Sequence, residues 1–320
     1  MPPFRKPSPS FPYKVADELA ALVAHKKVRG VPGKRSDRLL LATWNIANLG
    51  VQKRRDTDYQ LLAQIIGWFD LLALQECSDN LEGLRTIESH LPKSFRALFS
   101  DPGGNNERYV FLYDSNRVKL LEKVGELTVP PKDLRNVKLP GVSQPFTGFD
   151  RNPYLAAFEV DGFRFLPVNV HLYFGEAGAD SGGMERRCLE AFAVAHWAKR
   201  RHQSAHAYTK NIVALGDFNI PMDEPGDRVY DALTSRGLRK PDHSTKVASN
   251  IKNDAHYDQM AMFPGKLNKA VQDMGVFDFD GAVFAKFWDP TKQKLFEDNV
   301  KYYLSDHRPL WAQLDLIGHG

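Results

Sequence analysis

Several polar residues stand where apolar stretches of the chain come to an end. Asn45 lies at the end of LLLATWNI, Glu76 closes LLALQE, and His171 comes near the end of FRFLPVNVHL. Asp217 and Asn219 end NIVALGDFN, and His307 follows Ser305-Asp306 just ahead of PLWAQLDL. An Asn, Glu or Asp in such a place can simply cap the next loop, and any one of them alone reads that way. So many of the same kind are hard to assign to caps, because strands converging in a sheet would gather them into one cleft. The collection holds hard oxygen donors suited to Mg²⁺ and amides able to orient water or phosphate. It also holds two histidines that can move protons near neutral pH. Phosphodiester hydrolysis needs that chemistry.

The elements that must position these residues are short apolar runs bounded by turn residues, which read as strands. They are Leu39 to Ile46, Leu71 to Glu76, Tyr109 to Asp114, Tyr154 to Val160, Phe163 to Leu172, Asn211 to Asn219, Tyr257 to Pro264 and Pro309 to Leu316. Near-continuous apolar strands imply sheets covered on both faces. The pair around Asp161-Gly162 implies an antiparallel hairpin. Helical spacing marks Asp58 to Trp68 and Met184 to about Arg201, the latter with Cys188, Leu189, Phe192 and Ala195 on one face. A mixed, layered α/β fold is expected. Residues 1–36 read as an extension: a Pro/Ser-rich opening, a short helix from Val15 to His25 and a basic linker, leaving 37–320 as the catalytic domain.

Composition bounds the possibilities. The chain has 320 residues, 42% apolar and 26% charged, enough for a sizeable core. A net charge of +4 is too weak to demand a polyanionic partner. Basic runs at Lys26-Lys27, Lys34-Arg35, Lys53 to Arg55, Arg186-Arg187 and Lys199 to Arg201 read singly as solvated surface and together as fitting a protein that meets phosphate. Two cysteines, Cys77 and Cys188, are expected to be reduced and packed. The opening residues lack the run of roughly 7–15 apolar residues of a signal peptide, and no stretch nears the ~20 of a membrane span. A cytoplasmic or otherwise intracellular protein is expected, with no obligate protein partner.

The segments ATWNIANLG, LLALQE, NVHL, ALGDFN, YDQM and SDHRP follow one another in the order and approximate spacing of the endonuclease/exonuclease/phosphatase superfamily. The resemblance runs from about Leu39 to Leu316. Its specific part is GDFN followed about ninety residues later by SDHRP. Within the superfamily the chain is most similar to the DNase I branch, through NERYVFLYDSNRV, FDRNPYLAAF and VFDFD. The resemblance implies a four-layer α/β sandwich, two packed mixed β-sheets flanked by helices. It also implies hydrolysis assisted by Mg²⁺, with Mn²⁺ or Ca²⁺ able to substitute or assist.

The roles carried by the resemblance are these. Glu76 is the principal metal ligand, with Asn45 and Asp306 completing an oxygen-rich site. Asp217 activates the attacking water and Asn219 positions it or the phosphate; an Asx-turn explains the same pair structurally. His307 contacts the scissile phosphate with Asp258 setting its tautomer. His171 with Glu107 protonates the leaving 3′ oxygen, against the alternative of a core histidine satisfied by backbone. Arg151 and Tyr257 contact phosphate, the guanidinium matching its geometry. The remaining histidines (His25, His90, His196, His202, His206, His243, His256 and His319) lack ligand-like spacing.

The chain departs from the branch at the residues that would touch a DNA groove. Ala47 and Ser78 stand where that branch has arginines, and Asn105 where it has a stacking tyrosine. The expected partner is nucleic acid, chiefly DNA, cut with little sequence preference. A phosphoesterase acting on an inositol phosphate or sphingomyelin is the alternative, and a binding protein on an inactive scaffold is disfavoured by the complete catalytic set.

Overall fold

Strand β1 (Leu39–Leu49) is buried along its whole length, and its side chains divide between two cores. Leu39 and Leu41 face one, and Leu40, Ala42, Trp44 and Ile46 the other, the period-2 alternation of a strand covered on both faces. The computed structural model describes residues 3–175, 182–243, 245 and 247–316. The outer ends of the two expected segments, and His319, lie outside them.

The other strands are β2 (Leu71–Ser78), β3 (Phe95–Phe99), β4 (Glu107–Asp114), β5 (Lys119–Glu126), β6 (Tyr154–Val160), β7 (Phe163–His171), β8 (Ile212–Asp217), β9 (Asp258–Met262), β10 (Val271–Val276) and β11 (Leu310–Leu314). They form a six-stranded sheet in the order β10-β11-β1-β2-β4-β3 and a five-stranded sheet in the order β5-β6-β7-β8-β9. Each sheet is mixed, with a parallel pair at its centre: β1 with β2, and β7 with β8. The expected hairpin is present, with Asp161 and Gly162 at φ 49° and 81°, the positive values a two-residue turn uses to match strand twist.

The inner core lies between the sheets, built from residues such as Leu41, Phe111, Phe158, Leu215 and Met260. Outside the first sheet pack α1 (Val15–Val28), α2 (Asp56–Ile66), α3 (Glu82–His90) and, further along the chain, α7 (Gln293–Tyr303). Outside the second pack α4 (Gly182–Gln203) and α5 (Arg228–Thr234), while the short α6 (Lys266–Ala270) leads into β10. The result is the expected four-layer sandwich. No described helix is long and apolar enough to cross a membrane. Cys77 and Cys188 are free and buried, as expected.

Two features fix the strands beneath the polar ends, one between the sheets and one within the second. Gln75 of β2 donates to Asn169 of β7 at 2.6 Å, and Asn169 donates to the carbonyls of Leu74 and Val110, tying the sheets through buried amides. Gly216 sits at φ 140°, where a Cβ would lie 2.0 Å from the Val170 carbonyl oxygen. Only glycine allows β8 so close to β7 there.

The segment before β1 packs on the body. Phe11 stacks on Phe287 at 4.5 Å and its N–H donates to Asn299. Tyr13 donates to Asp58, and the Phe284 N–H donates to buried Glu18. The basic run Lys53 to Arg55 also has structural work instead of a phosphate-facing role. Arg54 is buried and donates to the carbonyls of Ile46, Ala47, Tyr303 and Leu304. Arg55 pairs with Asp58 and donates to the Phe11 carbonyl. Buried carbonyls need donors, and these guanidiniums supply them.

Candidate active site

Strand register brings the first group of residues together. His171 is paired with Asp217 across the parallel β7–β8 ladder, and Asp217 with Asp258 across the antiparallel β8–β9 ladder. Three side chains far apart in sequence therefore stand in one row at the end of the second sheet. The first sheet contributes Asn45 and Glu76 where the β1–β2 and β2–β4 registers slip. Glu76 has φ 59°, a left-handed conformation costly for a glutamate and characteristic of functional sites. The loop before β11 adds Asp306 and His307, anchored by the Ser305 hydroxyl donating to the Asn45 carbonyl and by Trp44 donating to the His307 carbonyl.

Asp217 is the hub. Its Oδ1 accepts the Asn219 N–H at 2.8 Å and its Oδ2 accepts from Asn45 at 3.0 Å. The Asx-turn explanation of GDFN is thus realised together with the clustering. Oδ2 also lies 3.6 Å from His171 Nε2 and 3.8 Å from His307 Nε2. Burial alone would favour the neutral acid, but His307, His171 and these hydrogen bonds outweigh it and keep Asp217 below the usual carboxylate range.

The two histidines differ. His307 Nδ1 is 2.8 Å from Asp258 Oδ2. Burial would lower its pKa, but Asp258 and Asp217 more than reverse this and hold it well above the ordinary value. It is the charged histidine of the site. His171 is pushed down to about 4, first by burial and then by Arg151, against the pull of Asp217 and Glu107. Its Nδ1 is 3.5 Å from Glu107 and makes no hydrogen bond among the described residues, so it is not a core histidine satisfied by backbone.

Glu76 accepts from Asn45 at Oε1 and from the Asn48 N–H at Oε2, both at 3.0 Å. Burial, then Glu107 and Asp306, push its carboxyl up to about 7. Such crowding of acidic groups is what a divalent cation relieves. Among the described residues no three His, Cys, Asp or Glu side chains form a closed metal cage. Mg²⁺ does not need one, since it keeps several waters and takes one or two carboxylates. Glu76 and half-buried Asp306 fit it. Asn45 turns its amide nitrogen toward Glu76 and Asp217, and its Oδ1 accepts the Ala47 N–H at 3.0 Å. It acts as the spacer between the two carboxylates.

Arg151 departs from expectation. Its buried guanidinium donates to Glu107 at 3.0 Å and to the His171 and Leu172 carbonyls, behind His171 instead of in the open cleft. Tyr257 does line the cleft, its ring 5.7 Å from that of His307. The cleft, about 350 Å³, is bordered by Glu76, His171, Asp217, Asn219, Asp306 and His307.

Sequence reasoning missed the supports supplied by α4. Arg187, within a run read as surface, is buried and donates to the carbonyls of Tyr173, Phe174 and Asn219. Glu190 accepts the N–H groups of Asp150 and Tyr173. Together they hold the segments that follow His171 and Asp217. The available signal was an Arg and a Glu three residues apart on a helix face otherwise apolar.

No family model matches the chain. It is 27% identical over 290 residues to a deoxyribonuclease of Thioalkalivibrio sp. (strain K90mix), covering 86% of this chain and 70% of that protein. An endonuclease/exonuclease/phosphatase family protein of Bacteroides thetaiotaomicron superposes with a TM-score of 0.57 at 18% identity, over 88% of this chain and 97% of its own. D. rerio TDP2 complexed with single-strand DNA product superposes at 0.54 and 14% identity, over 86% and 98%. The mannosyl-6-phosphatase of B. thetaiotaomicron superposes at 0.56 and 17%, again over 86% and 98%.

Proposed function

We propose, for a chain that has the DNase I-like fold of endonuclease/exonuclease/phosphatase proteins, that it is a divalent-metal-dependent phosphodiesterase cutting nucleic acid, chiefly DNA, with little sequence preference. The observation that carries this reading is the convergence of Asp217, His307, His171 and the carboxylates Glu76 and Asp306 on one cleft. The likeness to a deoxyribonuclease supports the choice of substrate.

Glu76 and Asp306 would hold a divalent cation, Mg²⁺ in the first instance, which would supply Lewis-acid stabilisation of phosphate charge. Asp217, kept ionised and oriented by Asn45 and the Asn219 N–H, takes a proton from the attacking water. The Asn219 side-chain amide is bound to the Leu172 carbonyl at 2.8 Å, so this residue orders the loop above Asp217. As the water oxygen bonds to phosphorus, the bond to the 3′ oxygen breaks in line. His307, protonated and steadied by Asp258, stabilises the pentacovalent phosphate and gives its Nε2 proton to the departing oxygen. Asp217 and His307 face each other, so the proton taken by one returns to the other and the site is regenerated. His171 is neutral and serves as a hydrogen-bond partner of the phosphate, in place of the leaving-group acid the resemblance implies. Arg151 and Glu107 position it.

The test is Mg²⁺-dependent hydrolysis across plasmid, single-stranded DNA, RNA, inositol phosphates and sphingomyelin, with Asp217→Asn as the blank. Cleavage of DNA is expected. Turnover of only a small or lipid phosphoester would replace this reading with the alternative.

A further inference from the structure

The N-terminal segment reaches the active-site cleft. The Phe4 N–H donates to Gln52 Oε1 at 3.0 Å, and buried Gln52 donates in turn to the Tyr302 carbonyl at 2.9 Å. Further along, Phe11 is locked into its aromatic cluster with Phe284, Phe287 and Phe296. The chain between these anchors delivers the Phe4 ring to the wall of the cleft that holds Glu76, Asp306 and His307.

The ring packs against the core outside the first sheet and at the same time borders the cleft. Phe4 is half-buried, and the Lys301 ammonium, which pairs with Asp298 at 2.6 Å, lies 5.5 Å from its ring centre. Lys252, on the same cleft, is exposed and makes no ion pair among the described residues. An aromatic face with cations beside it, a short way from a phosphate-cleaving centre, matches what flexible nucleic-acid strands require: bases stack on the ring while phosphates follow the positive charge. A rigid duplex keeps its bases stacked on each other and offers no free face to such a ring.

We propose that Phe4, with Lys252 and Lys301, forms a subsite that stacks an unpaired nucleobase flanking the scissile phosphate, which makes single-stranded nucleic acid the preferred substrate class. This rests on the nuclease reading of the site. It gives the N-terminal segment a part in recognition.

The experiment compares kcat/KM on a thymidine oligonucleotide with that on a deoxyribose-phosphate oligomer of equal length carrying no bases. The wild-type enzyme is expected to prefer the base-bearing strand. Phe4→Ala is expected to reduce that preference by about 5-fold or more, through KM, the scale of one lost base–aromatic stack. Phe4→Trp is expected to keep it. Thermal unfolding of each variant shows whether the segment still docks. A preference ratio that is near one in the wild type, or that survives Phe4→Ala, overturns the subsite while leaving the nuclease reading intact. Hydrolysis of neither oligomer alongside turnover of an inositol phosphate overturns the nuclease reading, and the subsite with it.

Discussion

His171 and His307 turn their Nε2 atoms toward the same atom, Oδ2 of Asp217, at 3.6 and 3.8 Å. Near-equal distances do not make them equal. Asp258 sits on the far side of His307 at 2.8 Å, whereas His171 has Arg151 behind it and a Glu107 that Arg151 already engages. One ring is therefore held charged and the other neutral.

That asymmetry orders the mutants. His307→Ala is expected to lower kcat by on the order of 10²–10⁴-fold, the range for a positioned acid or base. His171→Ala and Asp258→Ala are each expected to cost less, the first removing a neutral partner and the second an orienter. Single-turnover rates at saturating Mg²⁺ decide it. A larger loss for His171→Ala would exchange the two roles.

Glu76 carries the metal prediction. Glu76→Gln keeps the size and the hydrogen bond from the Asn48 N–H, loses the one from Asn45, and removes the charge a hard cation needs. Weaker Mg²⁺ binding by calorimetry and slower turnover at limiting Mg²⁺ are expected, with an unchanged circular dichroism spectrum. Chelation is expected to abolish wild-type activity. Activity that resists EDTA would remove the metal from the mechanism.

Asp278 is expected to make the docking of α1 pH-dependent. It accepts from His25 at 2.8 Å and from Arg29 at 2.6 Å. Burial opposes ionisation, but those two partners outweigh it and keep the carboxyl below the usual range. A depressed folded-state pKa means stability that is present above the unfolded value, about 3.9, and lost as pH falls through the folded one. Asp278→Asn is expected to cost about 1–2 kcal/mol at neutral pH, trimmed by screening because the Arg29 side chain is 35% exposed. The gap from wild type should close below about pH 4. Urea unfolding from pH 3 to 7 measures it, and a gap independent of pH would assign the loss to packing alone.

Duplex binding is expected to be loose and strongly salt-sensitive. Affinity for DNA comes mainly from phosphate contacts, each lost steeply as salt rises. Arg54 and Arg55, the nearest basic run to the missing groove contacts, are engaged within the protein. Cleavage of supercoiled plasmid and of single-stranded circles, measured across a salt series, is expected to fall faster for the duplex. Duplex cutting that persists at high salt would require a recognition surface elsewhere.

Much of the site was legible in the sequence because chemistry and burial leave opposite marks there. A buried strand reads as an apolar run, so Glu76 after LLALQ or Asp217 after IVALG stands out as the point where the run ends in a charge. Motif spacing then supplied the fold. The strands without such runs were the ones missed. β3, β5 and β10 are all sheet edges, and an edge strand shares only one side with a neighbour; β5 is buried at a single position, Leu121. β9 is an edge too, but Arg239 pairs with Met262 on its outer side, so it stays buried and apolar.

What residue types alone determined is the inventory: carboxylates, amides and histidines at strand ends, enough for metal-assisted phosphoester chemistry. Tertiary structure decided which of them meet and in what state. The row His171–Asp217–Asp258 comes from inter-strand register, which depends on hydrogen bonds between segments distant in the chain. The contrast between a charged His307 and a neutral His171 comes from burial and from which charges lie within about 4 Å. The buried duties of Arg54, Arg151 and Arg187 look in sequence like surface or phosphate-facing cations. A guanidinium's role is set by the carbonyls or carboxylates that surround it, and those neighbours exist only once the chain has folded.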